Sequence, residues 1–161
     1  MSRAVIVGYL RSPFTPAYKG QLASVRPDDL AAQVIKALVA NTRVKADDIE
    51  DVILGCAFPE GEQGFNMARL VGLLAGLPVT TGGLTVNRWC GSSMEAIHIA
   101  AGNIASGKGE LFVAAGVESM SRIPMGGFNP LPNPALYKTM PDAYIGMGLT
   151  AENVAKKVHI E

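Results

Sequence analysis

Apolar residues along the chain fall into two patterns. Short apolar runs occupy residues 4–10, 51–58, 80–88 and 111–117, and each predicts a strand. The first and last of these are expected to be buried strands. Between them apolar residues recur at helical spacing. Leu30, Val34, Ile35, Leu38 and Val39 make a stripe from Pro27 to about residue 41, opened by Pro27, Asp28 and Asp29. Asn66 has the character of an N-cap for a helix over 67–74, closed by Gly76 and Pro78. Met94, Ile97, His98, Ala101, Ile104 and Ala105 mark a longer helix ending near Ser106, broken by Gly107, Lys108 and Gly109. Ala96, Ala100 and Gly102 on that helix are small enough for close approach of neighbouring elements. Strands separated by helices predict an α/β fold, a mostly parallel sheet with helices on both faces. Prolines and glycines make residues 123–142 irregular, and a helix is expected over 150–158.

Composition narrows the partners. Hydrophobic residues make up 48% of the 161, and the 14 Lys and Arg balance 14 Asp and Glu. That balance implies no nucleic-acid partner and no acidic membrane surface. No apolar run approaches the roughly 20 residues needed to span a bilayer. The N-terminus shows no signal-peptide pattern, so the cytoplasm is the expected compartment. Two cysteines are too few for a disulfide framework. Cys56, Cys90, His98 and His159 lack the spacing of metal ligands, and no metal is expected. Gly146-Met147-Gly148 lacks the third glycine and the preceding strand of a dinucleotide fingerprint.

Candidate chemistry sits where the third strand hands over to the long helix. Val86-Asn87-Arg88-Trp89-Cys90-Gly91-Ser92-Ser93-Met94-Glu95 places a cysteine at that turn. Ser92 with Glu95 three residues on has the form of a capping box, which starts the helix near Ser92. Backbone N–H groups at a helix start favour a thiolate and could hold a substrate oxyanion. Two readings follow from the local sequence: a nucleophile for acyl chemistry, or an inert cysteine packed under a helix. His98 lies two turns along, about 12 Å of rise, too far for a direct dyad with Cys90, and is expected to be a packed helix residue. Trp89 is expected to be a core aromatic, and His159 a surface residue.

Val-Asn-x-x-Cys-Gly-Ser-Ser-Met-x-Ala-Ile over 86–97 resembles the active-site signature of the thiolase family. Gly61–Arg69, Ala115–Pro124 and Thr150–Ala155 agree with that family in order, and residues 6–15 look like its start. The resemblance spans essentially the whole chain. It implies the layered thiolase fold, with residues 1–119 as an N-terminal half lacking its last strand. Residues 120–161 would then begin the loop domain. It also implies that Cys90 carries an acyl group as a thioester, with coenzyme A and acyl-CoA as substrates and no separate cofactor. Met147, in Gly146-Met147-Gly148-Leu149, would line the acyl pocket, and Gly146 there would leave room for a longer 3-ketoacyl-CoA. The family's Asn-Glu-Ala-Phe, Gly-His-Pro and second-cysteine segments do not occur in these residues. The chain is therefore expected to be the N-terminal part of a longer homodimeric or homotetrameric thiolase, inactive by itself. A related ketoacyl-synthase-type condensing enzyme and a non-catalytic truncated fragment are the alternatives.

Overall fold

The computed structural model describes residues 3–160. The described chain divides into two compact units, one ending at Phe128 and one beginning at Asn129. In the first unit the order is α1 (Pro27–Thr42), β1 (Asp51–Gly55), α2 (Met67–Leu74), β2 (Gly82–Val86), α3 (Ser92–Ala105) and β3 (Phe112–Gly116). The strands form a parallel sheet in the order β2-β1-β3. Register is in phase across it, so Gly55 lies opposite both Val86 and Gly116. All three strands therefore end along one line.

Side-chain alternation on β1 builds two core layers. Val52, Leu54 and Cys56 face α1 and α2, where they pack with Ala31, Ile35, Met67, Ala68 and Val71. Ile53 points the other way, onto Ala96 and Ala100 of α3. Helices thus cover both faces of a parallel sheet, as the strand–helix alternation predicts.

Local signals explain the element ends. Pro27 opens α1, and Asp28 accepts from the Asp29 amide and pairs with Arg26. The Asn66 side chain accepts from the Arg69 amide and caps α2, and Gly76 takes a positive φ after its end. Gly107 and Gly109 do the same after α3. Arg26, Asp28, Glu62 and Arg122 form an ion cluster tying the start of α1 to the segment after β3.

Several expectations are corrected. Residues 4–10 are not a strand, and Val5, Ile6 and Val7 are exposed. A β-prone run needs a ladder partner, and this one is not hydrogen-bonded to the sheet. A groove of about 490 Å³, lined by residues 10–15, α1 and β3, lies on that side instead. Only Val113 of β3 is buried, because β3 is an edge strand. The apolar residues at helical spacing on α3 do not mark its buried face. That face is Ser92, Ala96 and Ala100, while Met94 and Ile97 are exposed. Close approach to the sheet selects the small residues. His98 is likewise not packed but about two-thirds exposed, on the side of the helix away from that stripe.

The second unit holds two helices, α4 (Pro134–Thr139) and α5 (Met147–Val158). α4 falls inside the stretch expected to be irregular. Asn133 caps it through the Leu136 amide, with Pro134 at its first position. α5 starts three residues before the expected helix, from an extended Gly146. Among the described residues no helix is long and apolar enough to cross a membrane.

Candidate active site

The ends of β1, β2 and β3 carry three short segments that converge: 56–58, 87–92 and 117–119. In open parallel sheets this carboxyl edge is where ligands bind. Cys90 is exposed there, on the turn between β2 and α3.

The turn is built from its own polar groups. Trp89 takes a left-handed backbone with φ 48°, unusual for a bulky residue. Its amide donates to Asn87 Oδ1 at 2.9 Å. Ser92 Oγ accepts from the Arg88 amide at 2.8 Å and donates to the Trp89 carbonyl at 2.5 Å. The buried Ser92 hydroxyl thus ties the Arg88 amide and the Trp89 carbonyl, just before Cys90, to the first turn of α3. This replaces the expected capping box. Ser92 is the first helical residue, Gly91 is the N-cap, and no side chain caps the helix. Glu95 reaches back to Arg88 instead, with Nε at 3.0 Å from Oε2 and Nη2 at 3.2 Å from Oε1. The amides of Gly91 and Ser92 are bonded to the carbonyls of Arg88 and Trp89, so neither is free for an oxyanion.

Two glycines let α3 approach the strand ends. A Cβ on Gly55 would fall on the backbone of Ser92 and Ser93, and one on Gly116 would fall on the Ser93 side chain. The helix therefore starts directly above β1 and β3. Trp89 is not a core aromatic. It is 63% exposed, and Phe58 meets it edge to face at 5.4 Å between ring centroids. The turn that lifts Cys90 off the sheet lifts its neighbour too.

Cys56, at the end of β1, differs in every respect. It is buried at 1% exposure, within 3.4 Å of Gln63 Nε2 and 3.9 Å of Glu118 Oε1. Burial, helped by the charge of Glu118, pushes its thiol up to about 11. Gln63 is fully buried and fully used. Its amide nitrogen donates to the Phe58 carbonyl at 2.8 Å and to Glu118 at 2.6 Å, and its oxygen accepts from the Ser119 amide at 2.7 Å. Glu118 Oε2 accepts from the Ala57 amide at 2.7 Å. The Ala57 carbonyl in turn accepts from Asn87 Nδ2 at 2.9 Å.

The sequence points to Cys90 and gives Ser92 a capping role, but assigns none to Gln63, Glu118 or Asn87. Each lies inside a motif-bearing stretch, and Asn87 and Glu118 also lie at the end of an apolar run, where a polar side chain has backbone ends to satisfy. That was the available signal. Met147 is the first residue of α5 in the second unit and is exposed. His159 is exposed at the left-handed end of α5, as expected. Among the described residues no group of three or more His, Cys, Asp and Glu side chains could hold a metal ion.

The family described as "Thiolase, N-terminal domain" matches residues 4–161. The 3-ketoacyl-CoA thiolase of Bacillus subtilis (strain 168) is 49% identical over 157 residues, which cover 98% of this chain and 40% of that protein. The 3-ketoacyl-CoA thiolase of Colwellia psychrerythraea is 47% identical over 158 residues, covering 98% and 41%. That of Shewanella frigidimarina is 46% identical over 157 residues, covering 97% and 40%. The chain spans about two fifths of the length of these relatives.

Proposed function

The chain belongs to the thiolase family, and we propose that Cys90 is the nucleophile of a thiolase that transfers acyl groups to and from coenzyme A. The observation that carries this reading is the placement of an exposed cysteine at the carboxyl edge of a parallel sheet, on a turn tied down on both sides. In the degradative direction the Cys90 thiolate attacks the 3-keto carbon of a 3-ketoacyl-CoA. The bond between C2 and C3 breaks, and acetyl-CoA leaves after its carbanion takes a proton. The acyl group, now a thioester on Cys90, passes to the thiolate of a second coenzyme A. The synthetic direction reverses these steps and condenses two acyl-CoA molecules.

This chemistry needs a base for the thiol and an acid/base at the substrate α-carbon. Among the described residues no histidine pairs with Cys90, and His98 lies against Glu95. We therefore assign both roles to chain outside these 161 residues, and expect the 161-residue polypeptide alone to be inactive. Met147 is proposed as part of the acyl pocket, its adaptable thioether suited to an apolar tail. The names of the relatives favour 3-ketoacyl-CoA as substrate and a place in fatty acid metabolism. Association as a homodimer or homotetramer, and a cytoplasmic location, belong to the same reading.

The test is acyl-enzyme formation by the full polypeptide. Incubation with acetyl-CoA is expected to add one acetyl group to the peptide that contains Cys90, seen by mass spectrometry. Cys90→Ser is expected to lose the adduct and at least about a thousandfold in turnover. Substantial turnover in that variant would reject Cys90 as nucleophile.

A further inference from the structure

The segment Ala57–Phe58 is held from two sides, and the pattern assigns it a purpose. From below, its polar backbone atoms are bound by Gln63 and Glu118: the Ala57 amide donates to Glu118, and the Phe58 carbonyl accepts from Gln63. Gln63 and Glu118 also bond to each other, and Gln63 anchors the Ser119 amide, so the pair is braced against the end of β3. From above, the segment meets the nucleophile's turn twice. The Ala57 carbonyl accepts from Asn87, whose other amide atom accepts from the Trp89 N–H. The Phe58 ring meets the Trp89 ring edge to face. Trp89 is the residue immediately before Cys90, and it is held at a positive φ that a tryptophan does not adopt without support.

We propose that Gln63 and Glu118 are positioning residues for Cys90, acting through Ala57–Phe58 on the backbone of Asn87 and Trp89. Neither touches the nucleophile. What they supply is a fixed platform: the strands end at Gly55, Val86 and Gly116, and beyond those residues the sheet no longer specifies where the chain goes. The Gln63 amide is suited to this because it presents a donor and an acceptor in opposite directions. Its donor side serves Phe58 and Glu118 while its oxygen serves Ser119. Glu118 accepts from two N–H groups, of Ala57 and Gln63, and at 3.9 Å from the Cys56 thiol, and a carboxylate suits a site where every facing group is a donor. A glutamate at 63 would set two carboxylates against each other. A glutamine at 118 would set its amide nitrogen against either the Gln63 amide nitrogen or the Ala57 N–H.

The proposal rests on Cys90 being the nucleophile, so its test reads the reactivity of Cys90 directly rather than turnover alone. On the full polypeptide, alkylation by iodoacetamide is followed peptide by peptide, well below the unfolding temperature of each variant. Gln63→Ala, Glu118→Ala and Asn87→Ala are each expected to slow acylation of Cys90 by acetyl-CoA, and to change its alkylation rate, by about tenfold or more. Because the links act in series, Gln63→Ala combined with Asn87→Ala is expected to cost little more than the worse single change. The exchanged pair Q63E with E118Q restores the hydrogen bond between positions 63 and 118 and keeps acceptors for the Ala57 and Ser119 amides, but leaves the Phe58 carbonyl without its donor, so it is expected to recover part, not all, of the loss that either exchange causes alone. A lowered unfolding temperature with Cys90 alkylation and acylation within twofold of the parent would overturn the positioning role. So would strictly additive effects of Gln63 and Asn87. Those outcomes leave the nucleophile reading intact, whereas turnover by Cys90→Ser would remove that reading by itself.

Discussion

Cys56 and Cys90 are the same side chain in two environments, and exposure separates their chemistry. Cys56 lies in the core with its thiol pushed up to about 11 by burial and by Glu118. Cys90 is open to solvent at a turn. Alkylation needs both access and the thiolate. Between pH 7 and pH 9 Cys56 remains protonated and covered, so iodoacetamide is expected to label Cys90 at least about a hundredfold faster in the folded protein. Raising the pH through that range does not release Cys56, because its folded value lies above the range. Comparable labelling of both cysteines by peptide mass analysis under native conditions would contradict this. Denaturant should abolish the difference.

At the scale of elements, the position of α3 on the sheet depends on two residues with no side chain. Gly55 and Gly116 end β1 and β3, and α3 begins directly over them. At Gly55 an added methyl meets the backbone of Ser92 and Ser93, which cannot move without shifting the helix. At Gly116 it meets Ser93 Oγ, which can turn away, and Ser93 Cβ at 2.8 Å, a milder overlap than that with the backbone at Gly55. Gly55→Ala is therefore expected to cost about 2 kcal/mol or more of unfolding free energy, and Gly116→Ala less. Urea denaturation measures both. Gly55→Ala should also alter Cys90 alkylation, since the displaced turn carries Cys90. Equal and small costs for the two substitutions would show that the helix start does not bear on the strand ends.

At the scale of the whole molecule, apolar surface is left uncovered. Val5, Ile6 and Val7 are exposed, β3 has a free edge, and an apolar groove lies beside it. Free strand edges and exposed apolar patches of this kind promote association. The 161-residue polypeptide alone is expected to aggregate and to show no thiolase turnover with coenzyme A and a 3-ketoacyl-CoA. The full polypeptide is expected to be active and to run as a dimer or tetramer in light scattering at micromolar concentration. Ordinary enzymatic rates from the 161 residues alone would mean that they hold a complete site. A monomeric full polypeptide would reject the association.

The sequence by itself determined the sequence-local features. Pro27 with Asp28 and Asp29 starts α1, Asn66 caps α2, and glycines end helices, because each signal acts within one turn of chain. Alternating elements were enough for a parallel sheet covered on both faces, and the motif around Cys90 with three further motifs in order was enough for the family. Tertiary structure decided the rest. Whether an apolar run becomes a strand depends on a partner edge, which residues 4–10 lack and 51–55 have on both sides. Which face of α3 is buried depends on how close the sheet comes, and Gly55 and Gly116 bring it close enough to choose Ala96 and Ala100 over Met94 and Ile97. Gln63, Glu118, Ala57 and Asn87 meet only because three strands end in register. Spacing along the chain carries no record of that meeting, since the contacts join residues tens of positions apart through a sheet edge that exists only once the chain has folded.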